Sequence, residues 1–364
     1  MKSSLSLVPA ALLLGAGSAA ADALLQFNSA PEIETRSLDA IHQAALAEGG
    51  VVTLWHGGDE TNQQDGLKQQ FEERFPGMTL NVTVDLSKYH DGAFDRQLAT
   101  GKVEVDSLLL QTLQDYPRWA GEGALLNYAP VGFDQVDPAY KDSASAAWHS
   151  AYIISWSIIA NTRKLGNVTI NDWEDILRPE FKNKLVLTYP NDDDAVLFAF
   201  DLILQHQGMA WFDALLAQNP RWVRGTATPV SAIFGNGTDA LTFTSEVGWQ
   251  PIPGIQITKP KTGPFVAWAQ GAAIPKDAPH PEGAKLLHNW ILSTEFQQGR
   301  GWSVRQDIPL PDGFPWAPLD QMNNTNVPAF ARWMGDRERV GRLKDYFESR
   351  IGSPQGLSPL TDDL

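Results

Sequence analysis

The chain has 364 residues, more than the roughly 250–300 residues at which a single hydrophobic core stops growing, so we expect two lobes. It contains no cysteine, which excludes disulfides, thiol catalysis, iron–sulfur clusters and cysteine-type zinc sites. The formal net charge of −15 repels phosphate backbones, so we expect no binding to nucleic acid.

The N-terminal segment predicts secretion. Lys2 precedes an apolar run over residues 5–17, and the small residues that follow offer cleavage sites after Ala21 or Ala23. This is the layout of a secretory signal peptide, which we assign to residues 1–21. No segment reaches the ~18 apolar residues that a permanent membrane helix needs. We therefore expect a soluble, monomeric, extracellular protein, periplasmic in a bacterium, that is not embedded in a membrane.

Strand and helix patterns alternate in the first third of the chain. The predicted elements are a strand at 51–55, a helix that ends at 76, a strand at 79–84, a short helix at 95–100 and a buried strand at 105–110. This order is typical of a mostly parallel sheet that is covered by helices on both faces.

Two apolar stretches, residues 151–160 and 264–274, predict segments that cross between the lobes. An ordinary core strand is the alternative for the first of them. Further predicted elements are strands at 185–189 and 241–244 and helices at 209–217, from 228, at 281–298 and at 327–349. The last residues, from 352 onward, have the composition of a loop, and we see no internal repeat.

Five stretches of the chain, taken in order, resemble segments of one superfamily of binding proteins. They include FEERFPG before a strand, NTRKL after the first apolar stretch, and the patterned helix PEGAKLLHNWILSTEFQQ. The five stretches are residues 44–55, 71–84, 152–165, 172–190 and 281–298. On these motifs the chain resembles the type 2 periplasmic-binding-protein superfamily, in particular the extracellular solute-binding proteins related to iron(III)- and thiamine-binding components of ABC importers.

The resemblance spans residues 40–305 and implies an α/β fold with two lobes. Each lobe is then a mostly parallel sheet flanked by helices, and a ligand cleft between them closes by hinge bending. We place lobe 1 at residues 22–154 plus 270–350, lobe 2 at 155–269 and a flexible tail at 351–364. The implied function is capture of a small molecule, an organic cation or a small anion, without a cofactor. An ABC importer is the implied partner in a bacterium.

Ligands of open α/β sheets bind beyond the carboxyl ends of the strands. In lobe 1 the residues after the three predicted strands are therefore candidate ligand contacts. They are His56, Gly57, Gly58 and Asp59 after the first strand, Lys88 and Tyr89 after the second, and Gln111 after the third. The two glycines let the backbone approach a ligand closely, although Gly-Gly is also simply a turn.

In lobe 2 the loop at 191–194, with acids at 192–194, precedes a predicted helix, and Asp192 and Asp194 are candidate contacts to a cationic ligand or a metal. Helix capping is the alternative, but three consecutive acids exceed what a cap needs. Thr226 and Thr228 open another helix, where hydroxyl and N–H groups suit phosphate or carboxylate.

Ser245 and Glu246 fall where the resemblance implies the adjacent tyrosines of ferric-binding relatives. The sequence has no Tyr-Tyr pair, so we do not expect capture of iron(III) by phenolates. Trp156 and Trp268 lie on the two presumed crossing segments, where core packing is the alternative to ligand contact. Aromatic walls with acids suit a flat organic cation.

Motifs of enzymes are absent: there is no nucleophile elbow, HExxH, P-loop or dinucleotide fingerprint. We predict a binding protein and not an enzyme. A secreted hydrolase, a metal-binding protein on the same fold and a surface protein with a vestigial cleft are the alternatives. Four sequons are candidate glycosylation sites in a eukaryotic host and have no such meaning in a bacterium, namely Asn81, Asn167, Asn236 and Asn323.

Overall fold

The computed structural model describes residues 30–166 and 168–361, so the proposed signal peptide and the sequon at Asn167 lie outside the described residues. The strands are β1 (Glu32–Ile33), β2 (Val51–Gly57), β3 (Thr79–Asp85), β4 (Ser107–Leu110), β5 (Tyr128–Ala129), β6 (His149–Ser155), β7 (Ile158–Asn161), β8 (Val186–Thr188), β9 (Arg221–Val223), β10 (Leu241–Thr242), β11 (Ile255–Thr258) and β12 (Ala267–Ala273). The helices are α1 (Leu38–Glu48), α2 (Asp65–Arg74), α3 (Ser87–Thr100), α4 (Asp115–Gly121), α5 (Thr162–Leu165), α6 (Asp194–Gln207), α7 (Met209–Ala217), α8 (Thr228–Phe234), α9 (Pro281–Ile291), α10 (Thr294–Gln297), α11 (Val327–Gly335) and α12 (Arg337–Ile351). Across the described ranges, none of these helices has the length and apolar character to cross a membrane.

The sheet of lobe 1 has the strand order β3-β2-β4-β12-β6. β2 pairs in parallel with β3 and β4, whereas β12 runs antiparallel between β4 and β6. The apolar run at 105–110 is a central strand with all four residues of β4 buried, because helices cover both faces of the sheet. Helix α9 packs so closely on β2 that a Cβ atom on Gly283 would lie 2.6 Å from the carbonyl oxygen of Val51. Only glycine fits at that point of the helix.

The sheet of lobe 2 repeats this order with other segments. β8 pairs in parallel with β9, a parallel bridge between Leu185 and Leu241 joins β8 to β10, and β7 runs antiparallel between β10 and β11. The order β9-β8-β10-β7-β11 therefore matches that of lobe 1 strand by strand. In each sheet the antiparallel strand is the one that enters from the other lobe. The repeat is one of topology, which the sequence does not reveal.

The two predicted crossing segments pass between the sheets. The first apolar stretch is broken into β6 and β7 at residues 156–157, and the second crossing, residues 259–266, leads from β11 to β12. The rings of Trp156 and Trp268 meet where the two crossings run side by side, with centroids 5.5 Å apart and planes at 87°. The two-lobed α/β fold is confirmed.

A third connection, residues 298–326, leads from α10 to the C-terminal helices. Helix α11 packs on β12 and on α6, and α12 packs on α6. Phe330 lies 5.4 Å from Phe198, and Phe347 lies 5.2 Å from Phe212, between ring centroids. The sequence placed residues up to 350 in lobe 1. We propose instead that 327–351 belong to lobe 2, because their apolar side chains share its core.

The last described residues, 352–361, contain no helix or strand. Pro359 is nevertheless buried, and its side chain packs against Gly225, where a Cβ atom would lie 2.5 Å from the proline Cβ. The side-chain amide of Asn191 donates to the carbonyl oxygen of Gly352 at 3.1 Å. The segment that we expected to be a flexible tail thus follows the loops of lobe 2.

Candidate ligand-binding site

A cavity of about 350 Å³ lies between the two lobes. One wall is built from residues that follow β2, β3 and β4, and the other from residues that follow β8, β9 and β10. The parallel strands of both sheets therefore point their carboxyl ends at the cavity, which is where open α/β sheets bind ligands. Its volume falls in the range of small-molecule sites, about 300–1,000 Å³.

Most of the predicted contact residues line this cavity. Those that do are Gly57, Gly58, Asp59, Lys88, Gln111, Trp156, Asp192, Asp194, Thr226, Ser245, Glu246 and Trp268. Three others do not. His56 belongs to the buried face of β2 with its Nε2 atom 2.6 Å from the hydroxyl of Tyr152, Tyr89 is exposed, and Thr228 is buried in α8.

Neighbouring side chains leave no room for a Cβ atom at the two glycines at the end of β2. A Cβ atom on Gly57 would lie 2.0 Å from Ser87 Oγ, and one on Gly58 would lie 2.5 Å from Gln63 Oε1. Ser87 and Gln63 also line the cavity. Lys88 follows Ser87 in the first turn of α3, which begins earlier than the helix predicted at 95–100.

The first contact across the cleft joins Asp59 of lobe 1 to Thr226 of lobe 2. The backbone N–H of Thr226 donates to Asp59 Oδ2 at 2.7 Å, and the Thr226 hydroxyl donates to the same oxygen at 2.5 Å. Asp59 is buried, so these bonds exchange little with water. The lobes are therefore closed on each other at this point.

The second contact joins Lys88 of lobe 1 to Asp192 of lobe 2. Lys88 Nζ donates to the carbonyl oxygen of Asp192 at 2.7 Å and to its Oδ1 at 2.9 Å, and Arg224 Nε donates to Oδ2 at 2.8 Å. Burial alone would raise the pKa of Asp192, but the bond from Arg224 and the charge of Lys88 outweigh it and lower the pKa. We call the pairs Asp59–Thr226 and Lys88–Asp192 the interlobe latches.

The other two acids of the run at 191–194 have separate partners. Asp193 caps α6, because its Oδ1 accepts from the N–H groups of Ala195 and Val196 at 2.8 and 2.9 Å. Burial raises the pKa of Asp193 to about 7, and the charges of Asp59 and Asp194 add to the rise. One acid therefore serves as the cap that helix geometry demands.

Asp194 forms ion pairs with two cations from α12. Arg337 lies 3.1 Å and Lys344 lies 2.6 Å from its carboxylate oxygens. Both cations line the cavity, and sequence reasoning missed them. They come from a helix 143 residues or more further along the chain, and no local motif marks such a contact.

Four cavity-lining acids form no ion pair with a lysine, arginine or histidine of the described residues, and two of them, Glu246 and Asp91, belong neither to a latch nor to a helix cap. We call Glu246 and Asp91 the unpaired acids. Glu246 faces the solvent of the cleft although protein surrounds it, and burial raises its pKa while the charge of Lys259 opposes the rise. Burial and the neighbouring charge of Asp115 raise the pKa of Asp91 to about 6. Asp91 was not among the predicted contacts.

Other groups in the cavity wall are aromatic or neutral and polar. Trp156 and Trp268 are at least 96% buried, and the indole N–H of Trp268 donates to Gln270 Oε1 at 2.8 Å. Thr112 Oγ1 and Gln114 Oε1 are buried and have no hydrogen-bond partner among the described residues. Buried polar atoms are almost always satisfied, so these two are free for a ligand or water.

Two alternatives from the sequence find no support in the described part of the chain. No group of three histidine or acidic side chains there is arranged to hold a metal ion. A hydrogen-bonded chain of serine and histidine side chains, such as hydrolases use, does exist. Ser107 Oγ lies 2.8 Å from His288 Nε2, and His288 Nδ1 lies 2.8 Å from His149 Nε2. All three residues are at least 98% buried and lie away from the cavity, so no substrate reaches them.

Two lobes joined by crossing strands, with an enclosed cavity at the carboxyl ends of both sheets, define a two-lobed ligand-binding protein. The chain belongs to the family of bacterial extracellular solute-binding proteins, whose family model matches residues 57–298. The predicted resemblance is thereby confirmed, and the family is one of binding proteins and not of enzymes. No curated protein sequence gives a significant match.

Solved structures of periplasmic binding proteins share the fold. The substrate-binding protein of an ABC transporter from Agrobacterium tumefaciens has a TM-score of 0.67 and 12% identity, over 83% of this chain and 94% of its own. AfuA from Actinobacillus pleuropneumoniae, solved with fructose-6-phosphate, has a TM-score of 0.61 and 17% identity, over 83% of this chain and 98% of its own. Iron-bound HitA from Pseudomonas aeruginosa has a TM-score of 0.60 and 14% identity, over 82% of this chain and 99% of its own. These low identities establish the fold and leave the ligand open.

Proposed function

We propose that this solute-binding protein captures a small organic cation between its lobes. The charge balance of the cavity wall supports the proposal. Six carboxylates and three cations line the cavity, and two of the carboxylates, Asp192 and Asp194, take all three cations as ion-pair partners. The other four carboxylates form no ion pair with a basic side chain of the described residues.

Closure makes this imbalance unfavourable without a ligand. A carboxylate that loses water without gaining a partner costs several kcal/mol. Asp59 and Asp193 are compensated by hydrogen bonds from Thr226 and from the start of α6. Asp91 accepts a bond from the backbone N–H of its neighbour Gly92, and Glu246 stays exposed in the cleft. Neither has an ion-pair partner, so each keeps a negative charge that a positively charged ligand would balance.

The remaining wall suits the same class of ligand. Trp156 and Trp268 contribute aromatic surface, which attracts organic cations. Gln114 Oε1 and Thr112 Oγ1 offer acceptors for ligand N–H groups. A phosphate or carboxylate ligand would need a cation that is not already paired, and the wall of the described cavity offers none.

The ligands of the structural relatives do not decide the question, since iron is a cation and fructose-6-phosphate is an anion. The fold accepts both, so the charge of the wall must decide. By analogy with its family, we propose that the loaded protein delivers its ligand to an ABC importer.

A ligand screen tests the proposal. Purified protein is heated with putrescine, choline or thiamine and, in parallel, with fructose-6-phosphate or inorganic phosphate. A ligand at about 100 times its Kd adds roughly 2.7 kcal/mol to the free energy of unfolding, which raises the melting temperature. We expect the shift only with cations, and we expect a smaller shift in the Glu246→Gln variant. A shift with phosphate compounds alone would overturn the proposal.

We also propose secretion with cleavage after Ala21, and glycosylation in a eukaryotic host. Three sequon asparagines are exposed and accessible to a glycan, namely Asn81, Asn236 and Asn323. Mass spectrometry of the exported protein is expected to find Asp22 at its N-terminus. In a eukaryotic host, a mass that drops on treatment with a glycosidase is expected; an unchanged mass would refute the glycan assignment.

A further inference from the structure

The C-terminal helix α12 contributes two of the three cations that line the cavity. Arg337 Nη1 lies 3.1 Å from Asp194 Oδ2, and Lys344 Nζ lies 2.6 Å from Asp194 Oδ1. One carboxylate therefore faces two cations, and the three side chains together carry a net charge of +1. We call Asp194, Arg337 and Lys344 the α12 charge cluster.

Other contacts along α12 hold this helix on α6. Arg339 Nη2 donates to Asp201 Oδ2 at 2.7 Å, and the ring of the fully buried Phe347 lies 5.4 Å from that of Phe200. Asp201 follows Asp194 by about two helical turns, so both carboxylates lie on the face of α6 that α12 covers. Because these contacts do not involve Arg337 or Lys344, we expect α12 to stay in place when either cation is replaced.

The two cations make Asp194 different from the unpaired acids Glu246 and Asp91. All three acids line the cavity, but in the described part of the chain only Asp194 has basic ion-pair partners, and both come from α12. Without α12, Asp194 would be a third acid of the same kind. The family model matches residues 57–298, and α12 lies beyond them, so membership of the family does not account for the two cations.

We propose that Arg337 and Lys344 are specificity-determining residues, which set the positive charge that the cavity requires of its ligand by cancelling the charge of Asp194. This inference rests on the proposed function, since it states which acids remain for a cation. Glu246 and Asp91 are left to the ligand, while the excess charge of the α12 charge cluster repels a further positive group. The helix thereby disfavours ligands that carry several positive charges.

The test is a series of variants that changes the charge of the α12 charge cluster in single steps. Asp194→Asn raises this charge from +1 to +2, Lys344→Met lowers it to 0, and Arg337→Met combined with Lys344→Met lowers it to −1. Isothermal calorimetry measures the affinity of each variant for choline, which has one positive charge, and for putrescine, which has two.

We expect the affinity for both cations to rise along the series from Asp194→Asn to the double variant. Each step is expected to change the affinity for choline by about fivefold, and that for putrescine by about the square of this factor, because Coulomb energy is proportional to the charge of the ligand. A purely structural cluster would instead weaken binding in Asp194→Asn and Lys344→Met alike, and that result would overturn the proposal.

Arg342→Met is the matched control, because it removes a cation from the same helix at the same overall cost in charge. Arg342 pairs with Glu338 on the exposed side of α12 and does not belong to the described cavity wall. We expect its affinities to equal those of the wild type. A change as large as that in Lys344→Met would mean that net charge alone is responsible, and the proposal would fail.

The proposed function and this inference fail in different ways. If fructose-6-phosphate binds the wild type and no cation does, the proposed function is wrong, and the same series is measured with fructose-6-phosphate. An affinity that falls from Asp194→Asn to the double variant then supports the role of α12 in setting ligand charge, and an unchanged affinity overturns it.

The cancellation of charge is also tested without any ligand, by urea unfolding in a double-mutant cycle. We expect Lys344→Met to lower the urea midpoint of the wild type but not that of Asp194→Asn, which has no carboxylate for Lys344 to pair with. Equal losses in both backgrounds would overturn the proposal whatever ligand binds. These single substitutions decide the question even if circular dichroism shows the double variant to be unfolded.

Discussion

The latch region and the hinge region of the cleft use carboxylates in opposite ways. At the latches, Asp59 and Asp192 accept bonds from the opposite lobe, and paired cations lower the pKa of Asp192 despite its burial. Toward the hinge, Glu246 has no basic partner within ion-pair distance, and burial raises its pKa. Acids that have a partner in the opposite lobe hold the lobes together, whereas the unpaired acids carry a negative charge that a cationic ligand can neutralise.

This difference means that closure of the lobes and selection of the ligand depend on different residues. A latch contributes the same free energy whatever lies in the cavity, because its donor and acceptor both belong to the protein. An unpaired acid contributes only when a cation is present. Mutations in the two regions are therefore expected to differ in ligand dependence as well as in size.

The largest effect is expected from Glu246→Gln, which removes the carboxylate and keeps the shape. Loss of a charge-assisted contact costs about 1.5–3 kcal/mol, or roughly ten- to hundredfold in affinity for a cation. Isothermal calorimetry with the cation from the screen measures it, and Glu104→Gln on the exposed surface is the control. If Glu246→Gln binds the cation as tightly as the wild type, Glu246 does not bind the ligand's charge, and the proposed difference between the latch region and the hinge region is wrong.

A somewhat smaller, non-selective effect is expected from Asp59→Ala. The variant removes both bonds from Thr226, and we expect all cleft ligands to bind about tenfold more weakly because the closed state is less stable. Small-angle scattering is expected to record a more open ligand-free protein. Thr226→Val keeps the backbone N–H bond and is expected to lose about half as much. A change confined to one ligand would assign Asp59 to the ligand instead.

The pH dependence of affinity distinguishes the same two regions. The pKa of Asp91, raised to about 6, means that this acid takes up a proton as the pH falls from neutral, and the pKa of Glu246 is shifted in the same direction. Protonated Asp91 no longer attracts a cation, so the affinity is expected to fall several-fold toward pH 5, by at most about tenfold for each pH unit. The latch at Asp192 persists, because its pKa is lowered.

Titration calorimetry across this range checks the result, with Asp91→Asn as the matched variant. Asp91→Asn is expected to flatten the curve between about pH 5 and 7. An affinity that rises on acidification would mean that the ligand is an anion.

Much of the fold and of the cavity wall was predictable from the sequence. The rule that ligands meet the carboxyl ends of strands located Gly57, Lys88 and Gln111, and the start of a predicted helix located Thr226. His56 and Tyr89 do not line the cavity. Side chains alternate across a strand, so His56 lies on the buried face of β2, opposite to the side that its neighbour Gly57 presents to the cavity.

Partners distant in sequence were not predictable. Arg337 and Lys344 reach Asp194 only because α12 packs on α6 of lobe 2, and nothing in the local pattern of either helix indicates that packing. The same holds for Lys259, which donates hydrogen bonds to residues more than 100 positions earlier in the chain. The repeated strand order was also hidden, because topology repeats without sequence similarity.

The smallest effect is expected at Asp193, which lines the cavity and caps α6. Its folded pKa of about 7 exceeds the ordinary value of 3.8, so the folded state binds the proton more tightly than the unfolded state. Stability from this group is therefore present at low pH and is lost as the pH rises between these two values. Asn is as good a helix cap as Asp and cannot ionise.

Asp193→Asn is therefore expected to match the wild type near pH 4 and to exceed it at pH 8, by about 1 kcal/mol or roughly 1–2 °C in Tm for a chain of this length. Thermal unfolding followed by circular dichroism at both pH values measures the difference, and Asp193→Ala, which loses the cap, is expected to be less stable at both. Equal stability of Asp193→Asn and wild type at pH 8 would mean that Asp193 is ionised at no cost. The two capping N–H groups would then compensate the charge of the Asp193 carboxylate, as the latch partners do for Asp59 and Asp192. Asp193 would in that case join the acids that hydrogen bonds or ion pairs stabilise.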